Sequence, residues 1–187
     1  VILWKGEQGG GNATGWIGAW AAGADPMNFP EGTGRILKKG SVIRGDMHYH
    51  PADKDYSDST RLGLHFADGP VDKELVNLWV MNAEFVIPAG DDNHQVKSRY
   101  EFLENSHLIS LTPHMHYRGK AMRYEVEYPD GERETLLWVP DYDFNWQFLY
   151  EYQEPKFLPA GSVMPMSWWF DNSTQNRWSP DSSAAVE

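Results

Sequence analysis

Apolar and polar residues alternate with a period of two along most of this chain, and this pattern constrains the fold more than any other feature. Residues 123–128 alternate cleanly, Pro129–Gly131 supplies a turn, and residues 132–139 alternate again, which predicts a β-hairpin. No stretch sustains the period of an amphipathic helix. The sequence therefore predicts an all-β chain.

Further strand candidates recur at short, regular intervals, separated by polar turns and by the Pro-x-Gly phrases at residues 30–32, 88–90 and 159–161. These candidates are residues 41–50, 61–66, 75–81, 95–103, 108–117, 147–152 and 163–170. Short strands with this spacing are typical of antiparallel β-sandwiches, including jelly rolls. A change in composition near Asp68–Pro70 predicts two parts, residues 1–70 and residues 71–187, because loop-rich sequence gives way there to denser strands.

Composition excludes several classes of protein. Sixteen Lys and Arg stand against 27 Asp and Glu in 187 residues, so the net charge of −11 disfavours nucleic acid and anionic lipid as partners. No apolar run is long enough to span a membrane as a helix. The chain has no Cys, which excludes disulfides, a zinc ribbon, a thiol nucleophile and covalent attachment of a c-type haem to this segment. Phosphate-loop, nucleophile-elbow and zincin motifs are also absent from the sequence.

Four of the seven histidines form two His-x-His pairs, His48/His50 and His114/His116. On a strand, residues i and i+2 point to the same face, so each pair would present two imidazoles side by side. Neutral imidazole is the commonest metal ligand in proteins, and copper, zinc and iron all accept it. The pairs are therefore candidate metal ligands, although hydrogen-bonded or solvent-facing histidines would give the same pattern. Pro113 marks a strand edge or entry, where a side chain can face a cleft.

Other candidates are better explained by packing or by exposure. Met164 and Met166 share a strand face and could bind Cu(I), but methionine more often fills a core. The adjacent Trp168 and Trp169 point to opposite faces, so packing is favoured over a carbohydrate platform. The remaining histidines are isolated and are interpreted as surface or hydrogen-bonded residues: His65, His94 and His107.

Several phrases together resemble the copper type II, ascorbate-dependent monooxygenases. This family contains peptidylglycine α-hydroxylating monooxygenase and dopamine β-monooxygenase, and the chain looks most similar to the bacterial, secreted relatives. The resemblance runs from about Trp16 to Ser179. The phrases are Ile17-Gly18-Ala19-Trp20-Ala21, Phe29-Pro30-Glu31-Gly32, Asp46-Met47-His48-Tyr49, Arg61-Leu62-Gly63-Leu64-His65-Phe66, Pro113-His114-Met115-His116-Tyr117-Arg118-Gly119, Tyr128-Pro129-Asp130-Gly131, Tyr142-Asp143-Phe144-Asn145-Trp146-Gln147 and Phe170-Asp171-Asn172-Ser173.

The resemblance implies two packed β-sandwiches, each holding one copper beside a cleft. Residues 1–70 would be the C-terminal part of the first sandwich, and residues 71–187 most of the second. It implies that His114 and His116 bind the copper that activates dioxygen, together with a later Met. It also implies that His48, in a His-Tyr phrase, contributes to the electron-relay copper. His50 matches no ligand of the family.

The chain departs from the family pattern in three places. The adjacent His-His of the relay site belongs to an upstream half that is absent here, and the ligand Met belongs to a segment that would begin near residue 187. Met164 and Met166 lie too early to match that Met. Trp169 stands where bacterial relatives often carry His before the Phe-Asp-Asn-Ser phrase. The resemblance therefore implies a segment of a longer protein, with incomplete copper sites in these 187 residues.

Two functions are consistent with this pattern. The first is a periplasmic or extracellular oxidoreductase domain that hydroxylates a C–H bond of a small-molecule substrate, with electrons from ascorbate or another donor such as a c-type cytochrome. The second is a non-catalytic subunit of a periplasmic complex that keeps the monooxygenase fold. Substrate, reductant and oligomeric state are not specified by the sequence.

Overall fold

In the computed structural model, all regular secondary structure of the described residues is β-strand, which confirms the all-β prediction. The structure describes residues 2–5, 16–20, 27–49 and 54–186. Within these ranges there is no helix with the length and apolar character needed to cross a membrane. The chain divides into two compact units, Val1–Trp79 and Val80–Glu187.

The described residues form eleven strands. Their bounds are β1 Ile2–Lys5, β2 Trp16–Ala19, β3 Thr33–Gly34, β4 Ile43–Asp46, β5 Lys73–Glu74, β6 His94–Glu101, β7 Ser106–Leu111, β8 Gly119–Glu127, β9 Arg133–Val139, β10 Tyr150–Leu158 and β11 Val163–Phe170. All pairings between these strands are antiparallel except that of β3 with β5.

The second unit contains a four-stranded sheet in the order β6-β11-β8-β9 and a two-stranded sheet of β10 and β7. The sequence pattern explains which faces are buried, since side chains alternate across a strand. In β8, Met122, Tyr124 and Val126 are buried, and in β11 Met164 and Met166 are. These residues share one hydrophobic cluster with Leu111 and Leu158, at the ends of β7 and β10. The antiparallel architecture is thus confirmed, while the sandwich arrangement stays a prediction.

The hairpin of β8 and β9 forms where the sequence predicts it. Tyr128 N donates to Glu132 O and Gly131 N donates to Tyr128 O, which closes the turn. Gly131 has a φ of 89°, a left-handed conformation that a residue with a Cβ adopts only at a cost. The Pro-Asp-Gly phrase therefore determines both the position and the backbone geometry of this turn.

The first unit has a three-stranded sheet in the order β2-β1-β4 and the short pair of β3 and β5. None of its described residues is a buried hydrophobic side chain. The guanidinium of Arg35 lies 4.5 Å from the ring centroid of Trp16 and donates to the carbonyl oxygen of Trp16 at 3.0 Å. Cation–π contact and side-chain hydrogen bonding thus contribute to the order of this unit.

Two strand predictions in this part of the chain are wrong. Residues 61–66 and 75–81 form no strand, although their residues alternate. Leu62, Leu64 and Phe66 are 45%, 43% and 75% exposed, so the alternating apolar side chains do not lie against a second layer. Alternation indicates which side chains could be buried, but a strand also needs a run of hydrogen bonds to a neighbour. Leu75 N donates to Gly34 O, in β3, at 2.8 Å, but the pairing of β3 with β5 itself ends at Glu74.

The division between the units lies after Trp79, whereas the sequence predicts it near Asp68–Pro70. The pairing of β5 with β3 accounts for the difference. Asp72 N and Lys73 N both donate to Gly32 O, at 2.9 and 3.3 Å. These bonds attach the residues just after Pro70 to the first unit.

Candidate metal site

The histidine pair His114/His116 lies in the segment that follows β7, not on the strand itself. The sequence predicts a strand through residue 117, but β7 ends at Leu111, so this placement is wrong. The alternation nevertheless continues, because Pro113 and Met115 are buried while His114 and His116 are exposed. The segment is extended and directs both imidazoles outward, as the i, i+2 spacing predicts.

This segment is fixed by hydrogen bonds from a side chain of β8 and within a turn, rather than by a neighbouring strand. The hydroxyl of Tyr124, on β8, donates to Thr112 O at 3.0 Å. At the other end, Gly119 N donates to His116 O at 2.8 Å, which closes a turn before β8 begins. Burial of polar backbone groups is tolerated only where they find partners, and these bonds supply them. The two histidines are therefore carried by a fixed backbone.

The two imidazole rings lie side by side. Their centroids are 5.2 Å apart and the ring planes meet at 85°. His114 Nδ1 lies 2.5 Å from Gln147 Oε1. An amide oxygen can only accept, so Nδ1 carries the proton and, in the neutral ring, Nε2 is the nitrogen with a lone pair. Gln147 Nε2 donates in turn to Phe144 O at 2.7 Å, which fixes the orientation of the amide.

Partial desolvation lowers the pKa of His116 below its ordinary value of 6.5, and the proximity of His114 lowers it further. Both causes favour the neutral ring, since burial and a neighbouring positive charge each disfavour protonation. Metal ligation requires neutral imidazole. His116 is thus kept in the state that can bind a metal.

This shift can be measured in the metal-free chain. We expect the His116 ring protons to titrate, in an NMR pH series, with a midpoint below 6.5. In His114→Gln the midpoint should move upward, because the charge of a protonated His114 is removed. Since the folded-state pKa is lowered, the contribution of His116 to stability is complete above pH 6.5 and falls as the pH decreases through the folded-state value. A midpoint at or above 6.5 would contradict the desolvation argument.

Exposed aromatic side chains occur near the histidine pair in the sequence and beside its hydrogen-bond partner Gln147. Tyr117, which follows His116, contacts Phe144 with ring centroids 4.4 Å apart. Trp146 and Phe148, on either side of Gln147, contact each other with centroids 4.6 Å apart. Tyr117, Trp146 and Phe148 are 45%, 65% and 48% exposed. Tyr117 thus places an exposed aromatic ring directly after His116, and Trp146 and Phe148 form a second exposed aromatic pair.

The other sequence-predicted histidine, His48, lies in the first unit, two residues after β4 ends at Asp46, and its side chain is exposed. His50 lies outside the described residues, so the pairing of His48 with His50 stays a prediction. His94 is hydrogen-bonded to Asp91, with Nδ1 and Oδ2 3.2 Å apart, and the His107 ring lies 5.4 Å from that of Phe157. The structure thus brings together His114 and His116.

The packing interpretation of Met164, Met166 and Trp168 is confirmed. Their side chains are 4%, 2% and 7% exposed and belong to the core cluster of the second unit. Trp169 points to the other face of the sheet, where its ring lies 5.3 Å from that of Trp138. The two rings meet at 79°, which is not the coplanar arrangement of a carbohydrate platform.

Sequence reasoning assigned no role to Gln147, although the residue belongs to one of the phrases that resemble the monooxygenases. No local signal identifies it, because it lies 33 residues after His114. Among the described residues, no group of three or more His, Asp or Glu is arranged to hold a metal ion. Comparison of the chain with family models, with curated proteins and with solved structures found no match.

Proposed function

We propose that this chain is a copper-binding, monooxygenase-like domain from a longer secreted protein. The observation that supports this most directly is the His114/His116 pair, whose rings lie 5.2 Å apart on the surface of a fixed segment. In this proposal the two imidazoles bind the copper that activates dioxygen. His48 contributes to a second, electron-relay copper.

The ligand atoms of His114 and His116 satisfy part of what a copper site requires. Imidazole binds both oxidation states of copper, and His116 is biased toward the neutral form. Gln147 accepts the Nδ1 proton of His114, and a hydrogen-bonded second ring nitrogen is the usual partner of a metal-binding histidine. A third donor is not supplied by the described His, Asp and Glu residues. In the monooxygenases that the sequence resembles, a later methionine has this role.

The residues of the pair would bind and orient, while the metal would supply the redox chemistry of dioxygen activation. His114 and His116 would each present one ring nitrogen. The exposed ring of Tyr117, which follows His116, would contact an apolar part of the substrate next to the reacting C–H bond. Hydroxylation transfers one oxygen atom of dioxygen to the substrate and reduces the other to water with two electrons and two protons from a donor.

The donor and the compartment belong to the same proposal. Ascorbate or another reductant would supply the electrons, and a c-type cytochrome or other periplasmic protein is the partner that the resemblance favours. Such chemistry would take place in the periplasm or outside the cell.

A second candidate function is a structural or accessory subunit of a periplasmic complex that keeps the fold without the activity. One specific observation favours it: no cluster of three or more His, Asp or Glu suited to a metal occurs in the part of the chain that the structure describes. In this case exposed aromatic side chains of this unit, such as Tyr117 and Trp146, would contact a protein rather than a substrate.

Copper titration of the full chain separates the two candidates. The oxygenase proposal expects copper to survive dialysis against a weak chelator and to give a Cu(II) paramagnetic resonance spectrum with nitrogen coupling from imidazole. Ascorbate should abolish this spectrum and air should restore it. If no copper is retained in either oxidation state, the accessory role is favoured and the oxygenase proposal is wrong.

The hydrogen bond from His114 to Gln147 gives a further prediction. Gln147→Leu removes the acceptor of the Nδ1 proton, so the His114 ring loses its fixed orientation and its preferred tautomer. We expect copper affinity to decrease by about 10- to 100-fold, the range typical for loss of a group that supports a metal ligand. Competition with a chelator of known affinity measures this effect.

Gln153→Leu is the matched control for that variant, because Gln153 is exposed on β10 and the same atoms are exchanged. It should leave copper affinity unchanged. Equal affinities for Gln147→Leu and the wild-type chain would show that the amide does not orient the ring.

A further inference from the structure

The hydroxyl of Tyr142 makes both of its hydrogen bonds to one residue, Met115, which lies between the two histidines. Met115 N donates to Tyr142 Oη at 3.0 Å, and Tyr142 Oη donates to Met115 O at 2.6 Å. A single side chain thus holds the backbone on both sides of this residue. Because Met115 precedes His116 and follows His114, any shift of its peptide groups moves both imidazoles.

Tyr142 is itself fixed to the sheet of the second unit. Its backbone N donates to Lys120 O, on β8, at 2.9 Å. Its ring packs against the core cluster that includes the buried side chain of Met115. Burial raises the pKa of the Tyr142 hydroxyl to about 12, so the hydroxyl keeps its proton at neutral pH and can donate to Met115 O.

Gly119 makes the close approach of these two residues possible. A Cβ at position 119 would lie 2.6 Å from Met115 Cβ and 2.8 Å from Tyr142 Cδ1, both shorter than real carbon contacts. Any side chain there would push Met115 and the Tyr142 ring apart. The glycine that ends the His-Met-His-Tyr-Arg-Gly phrase therefore has a steric role in keeping Tyr142 against the histidine segment.

We propose that Tyr142 is a positioning residue for the metal site, and that its paired hydrogen bonds to Met115, admitted by Gly119, set the distance between the His114 and His116 rings. The consequence for copper rests on the proposed function, but the consequence for ring geometry does not. A strand would fix two i, i+2 side chains through its ladder; here β7 has already ended, and the tyrosine hydroxyl replaces the missing neighbour.

The test compares Tyr142→Phe with the wild-type chain, both full length. Three readouts are used: hydrogen exchange of the Met115 amide, the nuclear Overhauser effect between the ring protons of His114 and His116, and copper affinity by chelator competition. In the variant we expect exchange to be faster by about tenfold or more, because the amide loses its acceptor. The ring–ring effect should be lost, and copper affinity should decrease by about 10- to 100-fold.

Tyr152→Phe is the matched control, since the Tyr152 hydroxyl also donates to a backbone carbonyl, that of Leu136, at 3.1 Å. It should change none of the three readouts. The effect of Tyr142→Phe would then be specific to the Tyr142 hydroxyl, and not a consequence of removing any tyrosine hydroxyl that bonds a backbone carbonyl. If Tyr142→Phe does not fold, the same readouts on Gly119→Ala decide, because that variant keeps the hydroxyl and displaces the ring.

The outcomes distinguish this inference from the proposed function. Faster exchange with an unchanged ring–ring effect overturns the positioning role, as does copper affinity equal to that of a wild-type chain that binds copper. If the wild-type chain binds no copper, the proposed function is wrong. The ring–ring effect then decides the positioning role alone: its loss in Tyr142→Phe supports the role and its retention overturns it.

Discussion

Replacement of His114 by alanine is expected to lower the copper affinity of this chain by more than about 100-fold, beyond the range seen when only a supporting group is lost. The reason is the small number of donors. Two imidazoles lie together, and no larger group of His, Asp or Glu in the described residues could compensate. His116→Ala should have the same effect, since each ring supplies one of the two nitrogens. Chelator competition and the nitrogen coupling in the Cu(II) spectrum measure it.

The control for both variants is His107→Ala. His107 is an exposed histidine of the same unit, and its ring lies against Phe157 on β10, without a second histidine. Copper affinity should be unchanged in this variant. If His107→Ala lowers affinity as much as His114→Ala, or if neither does, copper binds through scattered surface histidines and the proposed site does not exist.

Asn172→Ala is expected to give the largest loss of stability, about 3 kcal/mol in the free energy of unfolding of the second unit. The side chain is fully buried and uses all of its hydrogen-bonding groups. Its Nδ2 donates to Pro88 O and Ala184 O, and its Oδ1 accepts from Arg118 Nε at 2.7 Å and Ser179 Oγ at 3.2 Å. The variant removes all four bonds at a fully buried position and leaves their part-buried partners without Asn172, which costs more than the bonds contribute when both partners are present.

Denaturant unfolding of the full chain measures this loss, and Asn93→Ala is its control. Asn93 is exposed in a turn where its backbone N donates to Asp91 Oδ1, a bond that alanine keeps. The control should change the free energy of unfolding by less than about 0.5 kcal/mol. An equally small effect of Asn172→Ala would show that the four bonds of its side chain are replaced by water without cost.

The Asn172 network also bears on the metal site. Arg118, two residues after His116, donates through Nε to Asn172 and through its Nη2 to Asp181 O, and its own carbonyl accepts from Asp171 N. The end of the histidine segment is thus attached to the chain that follows β11. We expect Asn172→Ala to weaken copper binding less than His114→Ala does, since it loosens the segment without removing a ligand.

Sequence reasoning predicted the second unit well and the first unit poorly. The β8–β9 hairpin, its Pro-Asp-Gly turn and the buried faces of β8 and β11 follow from local chemistry, because turn residues and alternation act over a few positions. Residues 61–66 alternate just as clearly but remain exposed and unpaired. Alternation indicates where a strand could form, but a strand forms only when its backbone groups are hydrogen-bonded to those of another segment.

The sequence by itself determined that the chain is β-rich and that His114 and His116 point the same way, because an extended backbone alternates its side chains whatever surrounds it. Only the tertiary structure decided how the pair is held. Tyr142 and Gln147, which lie 27 and 33 positions after the residues they contact, supply the hydrogen bonds that replace a strand ladder after Leu111. Such contacts depend on how separate segments pack, so they cannot be predicted from the local pattern of residues.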